Sequence, residues 1–152
     1  VVVLEWTNDG CPFVQKHYSS GNMQSLQKAA ADDGVVWLSI ISSAPGKQGY
    51  ADGARANALT ASRAAAPGAV LLDPSGEIGR LYGAKTTPHM FIISAEGKLV
   101  YQGGIDDRPT SNPADVGGAR NFVKLALADI KAGRQVAIAS SQPYGCSVKY
   151  AQ

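Results

Sequence analysis

Five short stretches of β-branched and apolar residues, each bounded by turn-forming residues, predict β-strands. The stretches are Val1–Leu4, Val35–Ile41, Ala69–Leu72, Met90–Ile93 and Lys98–Gln102. The second of them is apolar on both faces, which is typical of a strand in the middle of a sheet. The last two are separated by Ala95-Glu96-Gly97, a turn that predicts an antiparallel hairpin.

Apolar residues spaced three and four positions apart predict helices in the segments between these strands. The predicted helices follow Cys11, run from Met23 to Ala30 behind an N-cap at Asn22, and cover Ala51–Ala66, Glu77–Tyr82 and Phe122–Ile130. Asn112–Asp115 has the cap, proline and acid of a further helix start. Strands that alternate with helices and end in a hairpin and a last helix predict an α/β fold, with a central mixed sheet flanked by helices.

Residues 134–152 form a C-terminal tail, and terminal segments are often disordered. This tail nevertheless carries apolar and aromatic residues, namely Val136, Ile138, Tyr144, Val148 and Tyr150, together with Cys146. Such a composition predicts a segment that packs against the rest of the chain. We therefore expect one domain over residues 1–133 and a packed tail extension over residues 134–152 that carries Cys146.

The bulk composition excludes several classes of function. The 152 residues carry 14 Lys and Arg against 12 Asp and Glu, a net charge of +2, and no basic stripe is present that would bind nucleic acid. No apolar run approaches the about 20 residues of a membrane-spanning helix, so we expect no membrane insertion. Two cysteines are too few for a disulfide framework or a zinc site, and we expect neither a metal nor a cofactor.

Cys11 lies at the junction of the first strand and the first helix. Asn8-Asp9-Gly10 is a turn sequence, and Pro12 has the place that proline prefers at the start of a helix. Unpaired backbone N–H groups and the helix dipole stabilise a thiolate there, and thiol pKa values fall from about 8.5 to roughly 3.5–7.5 in such settings. Cys11 is therefore a candidate nucleophile, and we expect it to be open to solvent. The alternative is a small buried hydrophobic residue at a strand end.

Three other polar features have structural interpretations. His17 is six residues from Cys11, about 240° around a helix, so we expect a surface or packing histidine and not a base. Asp106-Asp107 could suggest acid–base chemistry or a cation site, but two adjacent carboxylates without further acidic ligands are more typical of a solvated turn. The polar loop Ser42–Tyr50 is expected to be a surface connection, although it could also face a substrate.

The segment Val1–Val14, with its strand, Trp6, polar turn and Cys11-Pro12, resembles the active-site segment of the thioredoxin-like superfamily. It is most similar to the redoxin branch, which contains the peroxiredoxins and the TlpA/ResA-type thiol oxidoreductases. Thr87-Pro88 resembles the cis-proline loop of that superfamily. The resemblance implies a thioredoxin-like fold in which Thr87 and Pro88 line the Cys11 thiol. It also implies that the small strand pair preceding the first strand in this branch is missing from the chain.

The chain departs from the family pattern at three positions. Val14 stands where a Cys-x-x-Cys motif has its second cysteine, so no dithiol forms within one helical turn. Peroxiredoxins have a Thr-x-x-Cys turn and an arginine that polarises the O–O bond. Here Thr7 lies four residues before Cys11, and Pro88 takes the place of the arginine. These departures argue against ordinary peroxidase chemistry, while Thr7 remains a candidate substrate-binding residue.

The resemblance implies a thiol-dependent oxidoreductase of the redoxin type, in which Cys11 attacks a disulfide or a peroxide positioned by Thr87 and Pro88. Cys146 is the other cysteine of the chain and either resolves the intermediate or is an incidental packed thiol. The expected partner is a protein thiol or disulfide or a small peroxide, and the resemblance slightly favours an exported, periplasmic-type location. The alternative is a non-catalytic thioredoxin-like module that binds a protein partner, or copper through Cys11 and His89.

Overall fold

The computed structural model describes the whole chain, Val1–Gln152, as an α/β fold. The strands are β1 (Val2–Trp6), β2 (Val36–Ile41), β3 (Ala69–Leu72), β4 (Thr86–Thr87), β5 (His89–Ile93), β6 (Leu99–Gly103) and β7 (Cys146–Ser147). Five of them form one sheet in the order β3-β2-β1-β5-β6, and β4 pairs with β7 in a second, two-stranded sheet. In the large sheet β1, β2 and β3 are parallel, whereas β5 and β6 are antiparallel to their neighbours. The predicted central mixed sheet is confirmed.

Five α-helices connect and cover the strands. They are α1 (Pro12–Ser19), α2 (Asn22–Asp32), α3 (Gly53–Ser62), α4 (Glu77–Tyr82) and α5 (Phe122–Lys131). The predicted N-cap of α2 is wrong by one residue, because Gly21 is the cap, with a φ of 77°, and Asn22 is the first helical residue. The predicted helix start at Asn112 gives a single 3-10 turn, Pro113–Asp115. None of the helices has both the length and the apolar character needed to cross a membrane.

Alternating residues of β1 face two separate cores, because successive side chains of a strand point to opposite faces of the sheet. Val3 belongs to the larger core, which α1, α2 and α5 cover. Leu4 and Trp6 belong to a smaller core on the other face, which is completed by Phe91 and by Val148 from the tail. The tail is therefore part of the folded structure.

The same strand also carries a buried carboxylate, that of Glu5, which is fully inaccessible to solvent. Its oxygens accept hydrogen bonds from the hydroxyls of Tyr18 at 2.6 Å and Ser39 at 2.7 Å, and from the indole N–H of Trp37 at 2.9 Å. A buried charged group is tolerated when its hydrogen bonds are satisfied. These bonds tie α1 and β2 to the centre of the sheet.

The tail, residues 134–152, runs along the edge of the large sheet and then across the end of α1. Next to β6, the backbone N–H of Gln102 donates to Ala139 and the N–H of Ser141 donates to Gln102, both at 3.1 Å. At its far end, the Tyr150 hydroxyl donates to the carbonyl of Ala84 at 2.7 Å. Between these two anchors, β7 brings Cys146 to β4.

Candidate functional site

Cys11 is the N-cap of α1, and Pro12 is the first residue of that helix. The local sequence explains this arrangement, because the side chain of Asn8 accepts a hydrogen bond from the N–H of Gly10 at 2.9 Å and closes the turn after β1. Gln48 holds the turn from outside by donating to the Gly10 carbonyl at 3.2 Å and accepting from Asn8 at 3.1 Å. Gln48 belongs to the loop Ser42–Tyr50, which is expected from the sequence to be a surface connection. This loop therefore supports the turn that presents Cys11.

The segment 86–89, here called the cis-proline loop, lies against Cys11. The peptide bond between Thr87 and Pro88 is cis. The Cys11 thiol donates a hydrogen bond to the carbonyl of Thr87 at 3.3 Å. Thr87 and Pro88 are both buried, so residues far apart in the sequence meet at one sulfur.

Cys146 completes the site from the opposite side. It pairs with Thr87 in the register of β4 and β7, which places it beside the residue that contacts the Cys11 sulfur. Cys146 lies near enough to Cys11 to lower the pKa of the Cys11 thiol. Both cysteines are in the free thiol form.

The pKa values of the two thiols shift in opposite directions. Burial raises the pKa of Cys11, but hydrogen-bonding interactions with Cys146, Thr87 and the backbone of Val14 outweigh burial, and the net pKa is lowered. The pKa of Cys146 is raised to about 11, first by burial and then by the Cys11 sulfur beside it. Of the two thiols, Cys11 therefore has the lower pKa.

The expectation that Cys11 is open to solvent is wrong. Its exposed fraction is 0%, because the tail strand β7 and the cis-proline loop close over the sulfur. The covering group on one side is Cys146 itself, which is only partly buried. Access to Cys11 from solvent therefore requires the tail near Cys146 to move.

Thr7 lies in the buried end of β1 and is 3% exposed. Its backbone N–H donates to the carbonyl of Ile40 at 3.0 Å, but its hydroxyl has no hydrogen-bond partner. Thr7 therefore makes no hydrogen bond to the Cys11 thiol, in contrast to Thr87.

Tyr144 fixes the tail two residues before Cys146. Its hydroxyl donates to Asp106 Oδ1 at 2.6 Å and accepts from Lys16 Nζ at 3.0 Å. The hydroxyl also lies 3.1 Å from His17 Nε2. We call these four residues the tail-anchor cluster. The composition of the tail predicts that Tyr144 packs, but no local motif in the sequence reveals its hydrogen bonds or points to Lys16.

The tail-anchor cluster decides between the two alternatives for His17 and corrects one expectation. Of the surface and packing alternatives, His17 is a packing histidine, since it is fully buried and its pKa is lowered to about 4, first by burial. Asp106 is 3% exposed, so the expected solvated turn is wrong for this residue. Asp106 also accepts from the N–H of Arg108 at 3.0 Å, and Lys16 donates to the Arg108 carbonyl at 2.7 Å. Buried charges are tolerated here because each has a partner.

The copper alternative depends on Cys11 and His89. The Nδ1 of His89 already accepts a hydrogen bond from the N–H of Lys85 at 3.1 Å, and its ring stacks on Phe91 with centroids 4.5 Å apart. The structure contains no group of three or more His, Cys, Asp or Glu side chains that could hold a metal ion. A copper site at this position would therefore lack a third ligand of these types.

Comparison with known proteins gives structural likeness only. No family model matches the sequence, and no curated protein matches it. An uncharacterized conserved protein from Geobacillus kaustophilus superimposes with a TM-score of 0.82 at 24% identity, over 99% of this chain and 77% of that one. A hypothetical protein from Sinorhizobium meliloti gives 0.79 at 23% identity, over 99% and 79% of the two chains.

A third similar structure is StoA from Bacillus subtilis, a thioredoxin-like protein. It gives a TM-score of 0.50 at 19% identity, over 66% of this chain and 70% of StoA. The central mixed sheet flanked by helices agrees with this likeness. The chain has a thioredoxin-like fold.

Proposed function

We propose that this protein is a thiol-dependent oxidoreductase in which Cys11 is the nucleophile and Cys146 is the resolving thiol. The observation that supports this most is the pairing of Cys146 with Thr87, the residue whose carbonyl accepts from the Cys11 thiol, together with the lowered pKa of Cys11 and the raised pKa of Cys146. An incidental packed thiol would have no reason to lie beside the one cysteine at a helix N-terminus. The thioredoxin-like fold is consistent with redox chemistry.

With a disulfide substrate, the Cys11 thiolate attacks one sulfur of the substrate and displaces the other as a thiolate, which takes up a proton. The Cys146 thiol then attacks Cys11 Sγ and gives up its proton, and the substrate sulfur that is bonded to Cys11 leaves and takes up a proton. The protein dithiol is oxidised to a Cys11–Cys146 disulfide, and the substrate disulfide is reduced to two thiols. The low pKa of Cys11 suits the attacking role, and the high pKa of Cys146 keeps a proton ready for transfer.

With a peroxide substrate, the Cys11 thiolate attacks one oxygen, an alcohol or water leaves, and Cys11 becomes a sulfenic acid. Condensation with Cys146 then releases water and gives the same disulfide. The groups that lower the pKa of Cys11 are hydrogen-bond donors and include no arginine, so the donor that peroxiredoxins place on the O–O bond has no counterpart among them. Disulfide exchange with a protein thiol partner is accordingly the reaction we favour.

The test compares wild-type protein with Cys11→Ser, Cys146→Ser and the matched control Ser19→Ala, which changes an exposed residue of α1. Disulfide reduction and peroxide consumption are measured with the reduced proteins. We expect Cys11→Ser to abolish turnover. Cys146→Ser should accumulate a mixed disulfide or a sulfenic acid on Cys11, visible by mass spectrometry of the intact protein. Ser19→Ala should behave as wild type, and full activity of Cys11→Ser in both assays would overturn the proposal.

A further inference from the structure

A polar cavity of about 400 Å³ adjoins the cis-proline loop at His89, and neither cysteine lines it. One wall is formed by α4 and the start of the cis-proline loop, a second by β6, and a third by the tail. The residues that carry its polar character are Lys85, His89, Gln102, Ser140 and Ser141. Ligand sites in proteins commonly have volumes of about 300–1,000 Å³, so this cavity can hold a small molecule.

His89 presents a defined donor to this cavity. Because its Nδ1 accepts the hydrogen bond from the N–H of Lys85 at 3.1 Å, the ring proton of the neutral imidazole must be on Nε2. That Nε2–H forms no hydrogen bond inside the protein, although His89 is only 5% exposed. Stacking on Phe91 fixes the plane of the ring. His89 is therefore a largely buried residue of the cavity wall whose Nε2–H donor is free to bind a ligand.

The charge around His89 is positive and unbalanced. Lys85 takes part in none of the ion pairs of the chain. Its ammonium group acts on His89, since it contributes, after burial, to the lowered pKa of that imidazole. The cavity is lined by no Asp or Glu. A group that enters the cavity meets a cation, an imidazole N–H, an amide and hydroxyls.

We propose that this cavity binds a small molecule through an oxyanion group, a carboxylate or a phosphate, which accepts from His89 Nε2 and pairs with Lys85. A carboxylate or a phosphate accepts hydrogen bonds from N–H donors and pairs with a cation. Gln102 and Ser140 are exposed, and neither side chain forms a hydrogen bond inside the protein, so both can adjust to the rest of the ligand. The site is distinct from the thiol pair, and the proposal stands whether or not Cys11 is catalytic.

Occupancy of the cavity would also act on the tail. His89 follows Pro88 directly, and Ser140 and Ser141 belong to the tail segment that runs along β6 toward Cys146. A ligand that contacts both His89 and Ser140 therefore joins the cis-proline loop to the tail. A ligand that binds only when the tail is packed against the cis-proline loop stabilises that packed state by mass action. Binding would therefore slow the exposure of Cys11.

The experiment is a titration of the reduced protein with inorganic phosphate at constant ionic strength, followed by two-dimensional amide NMR. We expect saturable shifts confined to the amides of Lys85, His89, Gln102 and Ser140. Lys85→Gln should weaken binding about tenfold, since a charge-assisted contact is lost. Lys98→Gln, which removes another exposed lysine in the β5–β6 turn, is the matched control and should bind as wild type.

A second arm replaces phosphate with acetate and with a phosphomonoester, and so distinguishes a carboxylate ligand from a phosphate ligand. Tighter binding of either compound identifies the group. Lys85 is exposed, so Lys85→Gln should fold, and its amide spectrum verifies this in the same experiment. Absence of saturable shifts with all three compounds, or equal binding by Lys85→Gln and wild type, would overturn the proposal. The turnover of Cys11→Ser tests the proposed oxidoreductase function and does not test the binding of an oxyanion in this cavity.

Discussion

Gly145 lies in direct contact with the carbonyl of Thr87, with no space between them for a side chain. Its φ of 147° is also in the region that only glycine adopts readily. The contact lets the tail approach the cis-proline loop closely enough for Cys146 to pair with Thr87. Glycine at this position is therefore a condition for the meeting of the two sulfurs.

Gly145→Ala should separate the tail from the cis-proline loop. The added Cβ would meet the Thr87 carbonyl, and strain of this kind costs on the order of 1–3 kcal/mol. We expect faster alkylation of Cys11 by iodoacetamide and a lower free energy of unfolding in urea. Gly117→Ala is the matched control, because a Cβ there meets nothing within 4 Å. Unchanged alkylation in Gly145→Ala would show that the tail does not control access to Cys11.

Cys146→Ala should raise the pKa of Cys11. The Cys146 thiol is the first of the hydrogen-bond donors that lower this pKa, and alanine removes it while leaving the backbone of β7 intact. The pH dependence of thiolate absorbance near 240 nm measures the pKa, which should be higher in the variant than in wild type. Cys146→Ser keeps a donor and should lie between the two. A pKa of Cys11 that is the same in all three proteins would contradict the assignment of the donor.

Tyr144→Phe should destabilise the protein and loosen the tail. The change removes the hydroxyl that donates to Asp106 and accepts from Lys16. Loss of a partner by a buried polar group costs about 1–3 kcal/mol. Urea unfolding measures this loss, and faster alkylation of Cys11 would report the looser tail. Tyr50→Phe, at an exposed residue whose hydroxyl has no hydrogen bond in the chain, is the control and should unfold as wild type.

Stability should fall as the pH decreases from about 6.5 to about 4. The pKa of His17 is lowered from 6.5 to about 4, chiefly by burial, so the unfolded chain binds a proton in this range that the folded protein does not. The stabilising contribution is complete above pH 6.5 and is lost toward pH 4, with a slope of at most about 1.4 kcal/mol per pH unit.

His89 has the same shift, from 6.5 to about 4, again chiefly by burial, and should add to this slope. Urea unfolding of wild type and His17→Asn at several pH values between 4 and 7 measures the contribution of His17. We expect a shallower pH dependence in the variant. Equal slopes in the two proteins would mean that folding does not shift the pKa of His17.

Much of the fold follows from local sequence pattern. The alternation of strands and helices, the N-cap position of Cys11 and the mid-sheet place of β2 were all predicted and are confirmed. Each depends on interactions within a few residues, such as turn formation by Asn8 and the preference of Pro12 for a first helical position. The N-cap of α2 is Gly21 and not the predicted Asn22. A difference of one residue is usual at helix ends, where adjacent residues can both cap the helix.

The burial of individual polar residues could not be predicted in the same way. Asp106 resembles a solvated turn residue in the sequence, and it is buried only because Tyr144, from the distant tail, donates to it. His17 was predicted not to share a helix face with Cys11, and that reasoning from helix geometry did not reveal its partners. Partners that lie far apart in the chain leave no local signal.

The sequence by itself determined that a cysteine starts the first helix and that a Thr-Pro pair opens a buried strand, because both arise from short-range backbone preferences. Only the tertiary structure decided that Cys146, on the tail, lies against Cys11 and closes it from solvent. The physical reason is that this contact depends on the path of the whole tail, which the buried cluster around Tyr144 and the lack of a side chain at Gly145 fix in space.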